Sequence, residues 1–287
     1  YRALAYELDN QTPLLDASPT AGSAVASIDA GLFFERQTKL GSRSMTQTLE
    51  PRAFYLYSEY DAQTALPDFD SAELTFDYNQ LYRDTRFSGN DRLDDANQLS
   101  FGVTTRFFDN EDGRERLNAS IGQIYYFRDR DVRLNGADPR LTEGGSAIAV
   151  EFNWLPSSTW NLRSSVLYDP FDDKFDAASA QLGFNAGDGK ILNVGYTLRE
   201  PPPSLLERPV TEQANLSGYY PLDDNWSLFG AVEYSLEASE SVEDMIGIEY
   251  DDCCWQVRLL YMRYVDTASD IVDFTDPNLQ REHALQF

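Results

Sequence analysis

The feature that most restricts this chain is an alternation of period two that runs through almost every segment between turns. In 24–36, AVASIDAGLFFER, Ile28, Ala30, Leu32 and Phe34 fall on one face, with Ser27, Asp29, Gly31 and Glu35 on the other. In 97–108, NQLSFGVTTRFF, the apolar face is Leu99, Phe101, Val103, Thr105 and Phe107, set against Gln98, Ser100, Gly102, Thr104 and Arg106. The same split returns over 146–155, 159–168, 174–185, 190–199, 225–236 and 243–250. Successive side chains point to opposite faces of an extended strand, so these are antiparallel-type strands with one apolar and one polar face. At roughly 20 residues per strand plus turn, the length corresponds to about 14 strands. No window supports an amphipathic helix longer than about three turns. The Pro-rich stretch 200–209, EPPPSLLERP, reads as an extended polyproline loop.

An all-β chain of this pattern is either a water-soluble sandwich or a membrane barrel, and the faces separate the two. A sandwich carries a close-packed aliphatic face and a charge-rich outer one. Here the polar face is rich in Gly, Ser, Thr, Asn and Gln with isolated charges, while aromatics gather near segment ends. They include Phe33, Phe34, Tyr55, Tyr57, Tyr125, Tyr126, Phe127, Trp154, Trp160, Tyr168, Trp226, Trp255, Tyr261 and Tyr264. Aromatic girdles around a polar interior characterise outer-membrane barrels. Short turn signals such as Asp112-Gly113, Pro156-Ser157-Ser158, Gly187-Asp188-Gly189 and Asp223-Asp224-Asn225 alternate with longer acidic connections such as 128–145, as in an up-and-down barrel. No apolar run reaches the about 18 residues of a transmembrane helix, which leaves strands as the only membrane-crossing element this pattern offers. A formal net charge of −25 argues against nucleic acid as a partner. The chain opens without Met and without a charged-then-apolar leader, inside YRALAYELD, and is expected to be a piece of something longer.

Chemistry-bearing residues are few. Cys253 and Cys254, the only cysteines, stand side by side at the head of a strand-like segment, where neighbours face opposite ways and their Cα atoms sit about 3.8 Å apart, too close for an ordinary disulfide. Either both thiols are free or both have partners outside this sequence. A zinc site would need further ligands, and the single histidine, His283, reads as an ordinary strand residue, so no metal centre, cofactor or histidine-based triad is expected. The acidic stretches 90–95, 109–115 and 169–176 contain no complete calcium-loop pattern and read as solvated loops. Nothing places two carboxylates at the separation glycoside hydrolysis needs, and the chain reads as a non-enzyme. Pro51 inside LEPRAFYLY predicts a bulge or locally weakened pairing. The polar-face residues Glu50, Arg52, Arg106, Arg163, Arg199, Glu233 and Arg258 are expected to point to the lumen, most as cross-strand pairs and some as contacts for a plug.

The run 47–61, QTLEPRAFYLYSEYD, and the segments FDYNQL, RFSGNDR and DANQLSFGVTTR within 69–108 resemble the barrel domain of the LPS-assembly protein LptD family, as does the adjacent Cys253-Cys254 pair. The resemblance covers essentially residues 1–287 and implies an antiparallel transmembrane β-barrel in the bacterial outer membrane. This chain would be roughly the C-terminal half of its wall, without the N-terminal periplasmic jellyroll and first strands. It further implies lipopolysaccharide as substrate, released laterally into the outer leaflet, an LptE-like lipoprotein plug in the lumen, and periplasmic lipopolysaccharide bridge proteins engaged through the absent N-terminal domain. In the family each cysteine of the pair joins one upstream cysteine, which would make Cys253 and Cys254 the barrel side of two ties to residues outside this chain. The final segment 279–287 would be a late barrel strand with Leu285 and Phe287 on one face. The rival readings are a diffusion porin of about 14 strands, complete in itself, and a secreted β-sandwich.

Overall fold

The computed structural model describes residues 1–9, 18–134, 138–201, 210–265 and 281–286. The strands are β1 (Arg2–Ala5), β2 (Thr20–Ser23), β3 (Val25–Gly31), β4 (Phe34–Leu40), β5 (Arg43–Ser58), β6 (Ala72–Glu73), β7 (Phe87–Ser88), β8 (Ala96–Asp109), β9 (Glu115–Tyr126), β10 (Ile148–Trp154), β11 (Trp160–Asp169), β12 (Lys174–Asn185), β13 (Ile191–Arg199), β14 (Thr211–Pro221), β15 (Trp226–Ser235), β16 (Glu240–Asp252), β17 (Trp255–Val265) and β18 (Arg281–Gln286). Fourteen of them form one antiparallel meander in sequence order, from β3 and β4 on β5, through β8, to β18. Among the described residues β3/β4 and β18 are its two edges. No helix among these residues is long and apolar enough to cross a membrane, which says nothing about strands.

Register turns the alternation into two faces of opposite chemistry. One row across the sheet reads Trp160, Phe184, Leu192, Gly218, Gly230, Ile246, Tyr261 and Leu285, each residue paired with the next. A row on the opposite face reads Glu50, Thr104, Ser120, Glu151, Ser165, Ser179, Thr197, Gln213 and Ser235. The apolar face is the exposed one: Phe101, Ile121, Leu216 and Ile246 are open, while Ser100, Thr104 and Ser120 behind them are buried. Isolated sheets hide apolar side chains from water, so an outward apolar face and an inward polar one require hydrocarbon outside. All four tryptophans, Trp154, Trp160, Trp226 and Trp255, lie on this outer face at one end of the sheet.

That end also holds the tight turns, at 41–42, 110–114, 155–159, 186–190, 222–225 and 253–254. Glycine in the left-handed region makes the sharpest of them, with φ of 62° at Gly41 and 71° at Gly113. Long connections, 59–95 and 127–147, leave from the opposite end. Short periplasmic turns and longer outer loops are the barrel rule, so the tryptophan end is periplasmic. Tyr55, Tyr57, Tyr125, Phe127 and Tyr168 gather at the long-loop end. Tyr126 and Tyr264 depart from the girdle reading, because their partners Gln98 and Glu243 belong to the polar face.

Two expectations need correction. Residues 24–36 do not make one strand: β3 stops at Gly31 and β4 starts at Phe34, both lying along β5. Nor does Pro51 create a bulge against β8, where pairing runs without a shift from Met45·Asp109 to Ser58·Ala96 and sets Pro51 opposite Val103. The Pro51 carbonyl accepts the Leu32 N–H at 3.0 Å, so its ring nitrogen faces the β3/β4 side. The donor that proline lacks falls where those strands break, and the weakened pairing sits there. Segment 202–209, most of the Pro-rich stretch, and Phe287 lie outside the described residues.

Candidate functional site: the inner face and the segment folded on it

The long connection 59–95 does not stay outside. It turns back over the polar face of β5, β8 and β9, anchored by a 3-10 turn over Tyr78–Tyr82. Asp77 caps that turn, its Oδ1 accepting the N–H groups of Asn79 at 2.8 Å and Gln80 at 3.0 Å. Gly102 and Gly122 face each other across β8 and β9 and leave a slot without side chains. Leu81, fully buried, fills it; a Cβ on Gly122 would sit 2.5 Å from Leu81 Cδ1 and 2.8 Å from the Phe101 carbonyl. Tyr78 Oη lies 3.0 Å from Thr104 Oγ1. The Arg52 guanidinium covers the Tyr82 ring at 4.0 Å and reaches Asp29 through Nε at 2.9 Å.

Above this anchor, towards the long-loop end, buried charges link the two infolded segments. Arg86 donates to both Asp94 oxygens, with Nη2 to Oδ1 at 2.7 Å and Nε to Oδ1 at 3.0 Å and to Oδ2 at 3.3 Å. Asp95 accepts the Asp131 and Val132 N–H groups, both at 3.0 Å, tying 127–134 to 86–95. Arg130 is buried: its guanidinium stacks on Tyr126 at 3.4 Å and donates to the Arg140 and Leu141 carbonyls. Burial pushes its pKa down. Burial raises the Glu143 carboxyl, with Asp169 and Asp172 adding to the effect. Between these segments and the wall lies a cavity of about 290 Å³ lined by Arg83, Arg130, Arg140, Glu143, Asp176 and Arg199 among others. Its charge is mixed, which suits a hydrated polar passage better than a selective anion or cation site. A separate hairpin, β1 with β2, closes over segment 59–95 through Leu4, Tyr6, Ala21, Leu66 and Leu93.

The sequence-predicted inner residues all fall on this face by register. Glu50 accepts from Thr48 at 2.7 Å and lies 3.4 Å from Arg106, which donates to Glu115 at 3.0 Å. Arg258 donates through Nε to the buried Glu249 at 2.8 Å. Arg163 stands between Asn153 and Gln181, and Glu233 between Asn215 and Glu243. Segment 59–95 packs on Arg52 and lines the cavity together with Arg199, and the predicted residues share a face without converging on one point.

The acidic stretches read from the sequence as solvated loops, and five of their eleven carboxylates are not. Asp91, Asp94, Asp95, Asp109 and Asp169 are buried and hydrogen-bonded, whereas Asp112, Asp172 and Asp173 stay open. Among the described residues no cluster of three or more His, Cys, Asp or Glu could hold a metal ion. Cys253 and Cys254 do not face opposite ways in a strand. They are the two-residue turn between β16 and β17 at the periplasmic end, exposed, unbonded, with their sulfurs 3.0 Å apart. Sequence reasoning missed Leu81, Tyr78, Tyr82, Arg86 and Arg130. The one signal available was the pairing of glycines at Gly102 and Gly122 inside strand patterns, which marks a close approach.

A wall with an apolar, tryptophan-rimmed outside, a polar inside and a segment of its own folded against that inside is part of an outer-membrane β-barrel, and the bacterial outer membrane is its place. Comparison gives the particular kind. The family model described as "LptD: LPS transport system D" matches residues 1–226. The LPS-assembly protein LptD of Nitrosococcus oceani is 39% identical over 264 residues, covering 92% of this chain and 35% of that protein. Those of Xanthomonas campestris pv. campestris and Pseudomonas aeruginosa are 39% and 35% identical, covering 95% and 89% of this chain. The chain belongs to the LptD family and spans about a third of the length of the curated relatives it matches.

Proposed function

We propose that this chain is the C-terminal part of the barrel wall of a lipopolysaccharide translocon, one that passes lipopolysaccharide across the outer membrane and releases it laterally into the outer leaflet. The observation that carries the reading is the combination of two unpaired edges with an inner face that is only partly covered. In hydrocarbon every unpaired N–H and C=O lacks water, so β3/β4 and β18 call for further strands of the whole protein. Segment 59–95 covers β5, β8 and β9, while Arg163, Glu233 and Arg258 line the open part, where a lipoprotein plug of the LptE kind would dock. The saccharide would cross along this polar face and the acyl chains along the membrane side; the wall performs no catalytic step. Cys253 and Cys254, displayed at a periplasmic turn, would each bond a cysteine elsewhere in the full protein and tie the barrel to the periplasmic domain that meets the bridge proteins. Oxidised cysteines suit that compartment.

A porin of about 14 strands is not favoured, because family membership extends over most of the chain and, among the described residues, the meander's two edges do not pair with each other. Depletion of the full-length protein, complemented by variants, is the test. Replacing Arg163, Glu233 and Arg258 together by Ala should lower surface lipopolysaccharide and plug co-purification with the barrel still heat-modifiable. A stable open pore formed in planar bilayers by this chain alone would refute the reading.

A further inference from the structure

The outer face carries a groove of about 960 Å³ that transport along the inside does not use. Its floor is the directly paired Gly218 and Gly230, its sides are Leu192, Leu216, Leu228, Val232 and Ile246, and the mutually paired Asp244 and Arg263 close it towards the long-loop end. Elsewhere in this row the same register places Phe184, Leu192, Ile246 and Tyr261, so two adjacent missing side chains make a dent as wide as two strands. Over Gly218 the space is open, since a Cβ there would come no nearer than 3.4 Å to a neighbouring strand, at the Ile191 carbonyl, whereas at Gly230 a Cβ would meet the Met245 carbonyl at 2.9 Å. Towards the periplasmic end, about 7 Å from Gly218 along the strand, Tyr220 forms the rim and Lys190 Nζ lies 5.4 Å from its ring centroid. Lys190 is held 2.5 Å from Asp188 in the turn below. A cation and an anion thus stand side by side at the membrane surface, at the periplasmic end of a trough that is apolar over its glycines, while Asp244 and Arg263 at the other end satisfy each other.

We propose that this groove is a binding site for one zwitterionic phospholipid of the periplasmic leaflet. An acyl chain lies over Gly218 and Gly230, the phosphate meets Lys190, and the headgroup ammonium meets Asp188. The charge pair decides the lipid class. A purely anionic headgroup would gain the Lys190 contact and meet repulsion from Asp188, whereas a phosphate followed by an ammonium satisfies both. Lipid chains give little net gain over other lipid on a smooth wall, so selectivity has to come from a shaped recess and a matched headgroup. The site depends on the outer-membrane placement of the wall and not on the transport reading.

The experiment is native mass spectrometry of the full-length protein in mild detergent with phosphatidylethanolamine, phosphatidylglycerol or lipopolysaccharide added, heat-modifiability serving as the folding control. Phosphatidylethanolamine should be retained about fivefold more strongly than phosphatidylglycerol. Gly218→Leu, which fills the trough, should weaken both phospholipids; Lys190→Gln should weaken both; Asp188→Asn should weaken phosphatidylethanolamine alone. If Gly218→Leu fails to fold, the two turn variants carry the test by themselves. Equal retention of the two phospholipids, displacement of both by lipopolysaccharide, or indifference to all three substitutions would overturn the proposal.

Discussion

Gly122→Ala is the smallest change that asks whether segment 59–95 is seated on the wall. The new Cβ would stand 2.5 Å from Leu81 Cδ1, 2.8 Å from the Phe101 carbonyl and 3.0 Å from the Gly102 Cα. Two of those neighbours are backbone of a continuously paired strand, so Leu81 is the group that moves. Expelling a fully buried leucine costs about 1.5–3 kcal/mol, and keeping it in an overpacked slot costs about 1–3 kcal/mol. We therefore expect the segment to be loosened by about 1.5–3 kcal/mol, equivalent to about a 10- to 150-fold rise in its open population. Trypsin reads that population in the folded barrel, because Arg86 and Arg92, held to Asp94 and to the Pro67 carbonyl, become more cleavable on opening. Leu81→Ala alone empties the slot and should cost about 2–5 kcal/mol. The double variant is the decisive one: with the Leu81 side chain cut back to a methyl group the 2.5 Å clash is gone while the 2.8 Å approach to the Phe101 carbonyl remains, so the pair should cost clearly less than the sum of the two single changes. Simple additivity, or a Gly122→Ala cleavage rate within about twofold of wild type, would show that the segment does not occupy the slot.

Val103→Arg on the outer face near the middle of β8 should destabilise the barrel by about 2–4 kcal/mol in detergent or bilayer unfolding; a negligible effect would contradict a lipid-facing wall. Removing the inner guanidinium with Arg258→Ala leaves the buried Glu249 without its Nε donor and should cost about 1–3 kcal/mol, largely recovered when Glu249→Gln is added. Hydrogen exchange of the Phe69 and Asp70 amides should have an acid limb and an alkaline one. The Tyr6 hydroxyl and these amides hold the Asp91 carboxyl down to about 2, so its contribution is complete above about pH 4 and is lost as pH falls towards 2. Burial, with the Asp91 bond, pushes Tyr6 up to about 12, so its contribution holds below about pH 10 and fades as pH rises through 12; Asp91→Asn should flatten the acid limb. Non-reducing mass mapping of the native full-length protein should find Cys253 and Cys254 both oxidised, and two alkylatable thiols would end that proposal.

The wall was legible in the sequence and the segment folded on it was not, for one physical reason. A lipid-facing strand must place an apolar residue at every second position for its whole length, which is why Leu99, Phe101 and Val103 declare the face of β8 before any contact is known. Segment 59–95 obeys no such period. Its Asp91, Asp94 and Asp95 look like the acids of a solvated loop, because composition records that a carboxylate is present and not that Arg86 and the Val132 amide await it. A polar wall can be covered by polar chain without any hydrophobic signature, so burial there comes from hydrogen bonds and ion pairs between residues about 8 to 46 positions apart. The same limit misled the reading of the cysteines. Periodicity extended a strand through Cys253 and Cys254, but reversal after Asp252 needs two residues and those two were the only ones left, which puts both sulfurs at the periplasmic rim on the same tip. Being side by side on a turn, they can be reached together by one approaching domain, and that placement fits two ties to a periplasmic partner better than two thiols on opposite faces of a strand would.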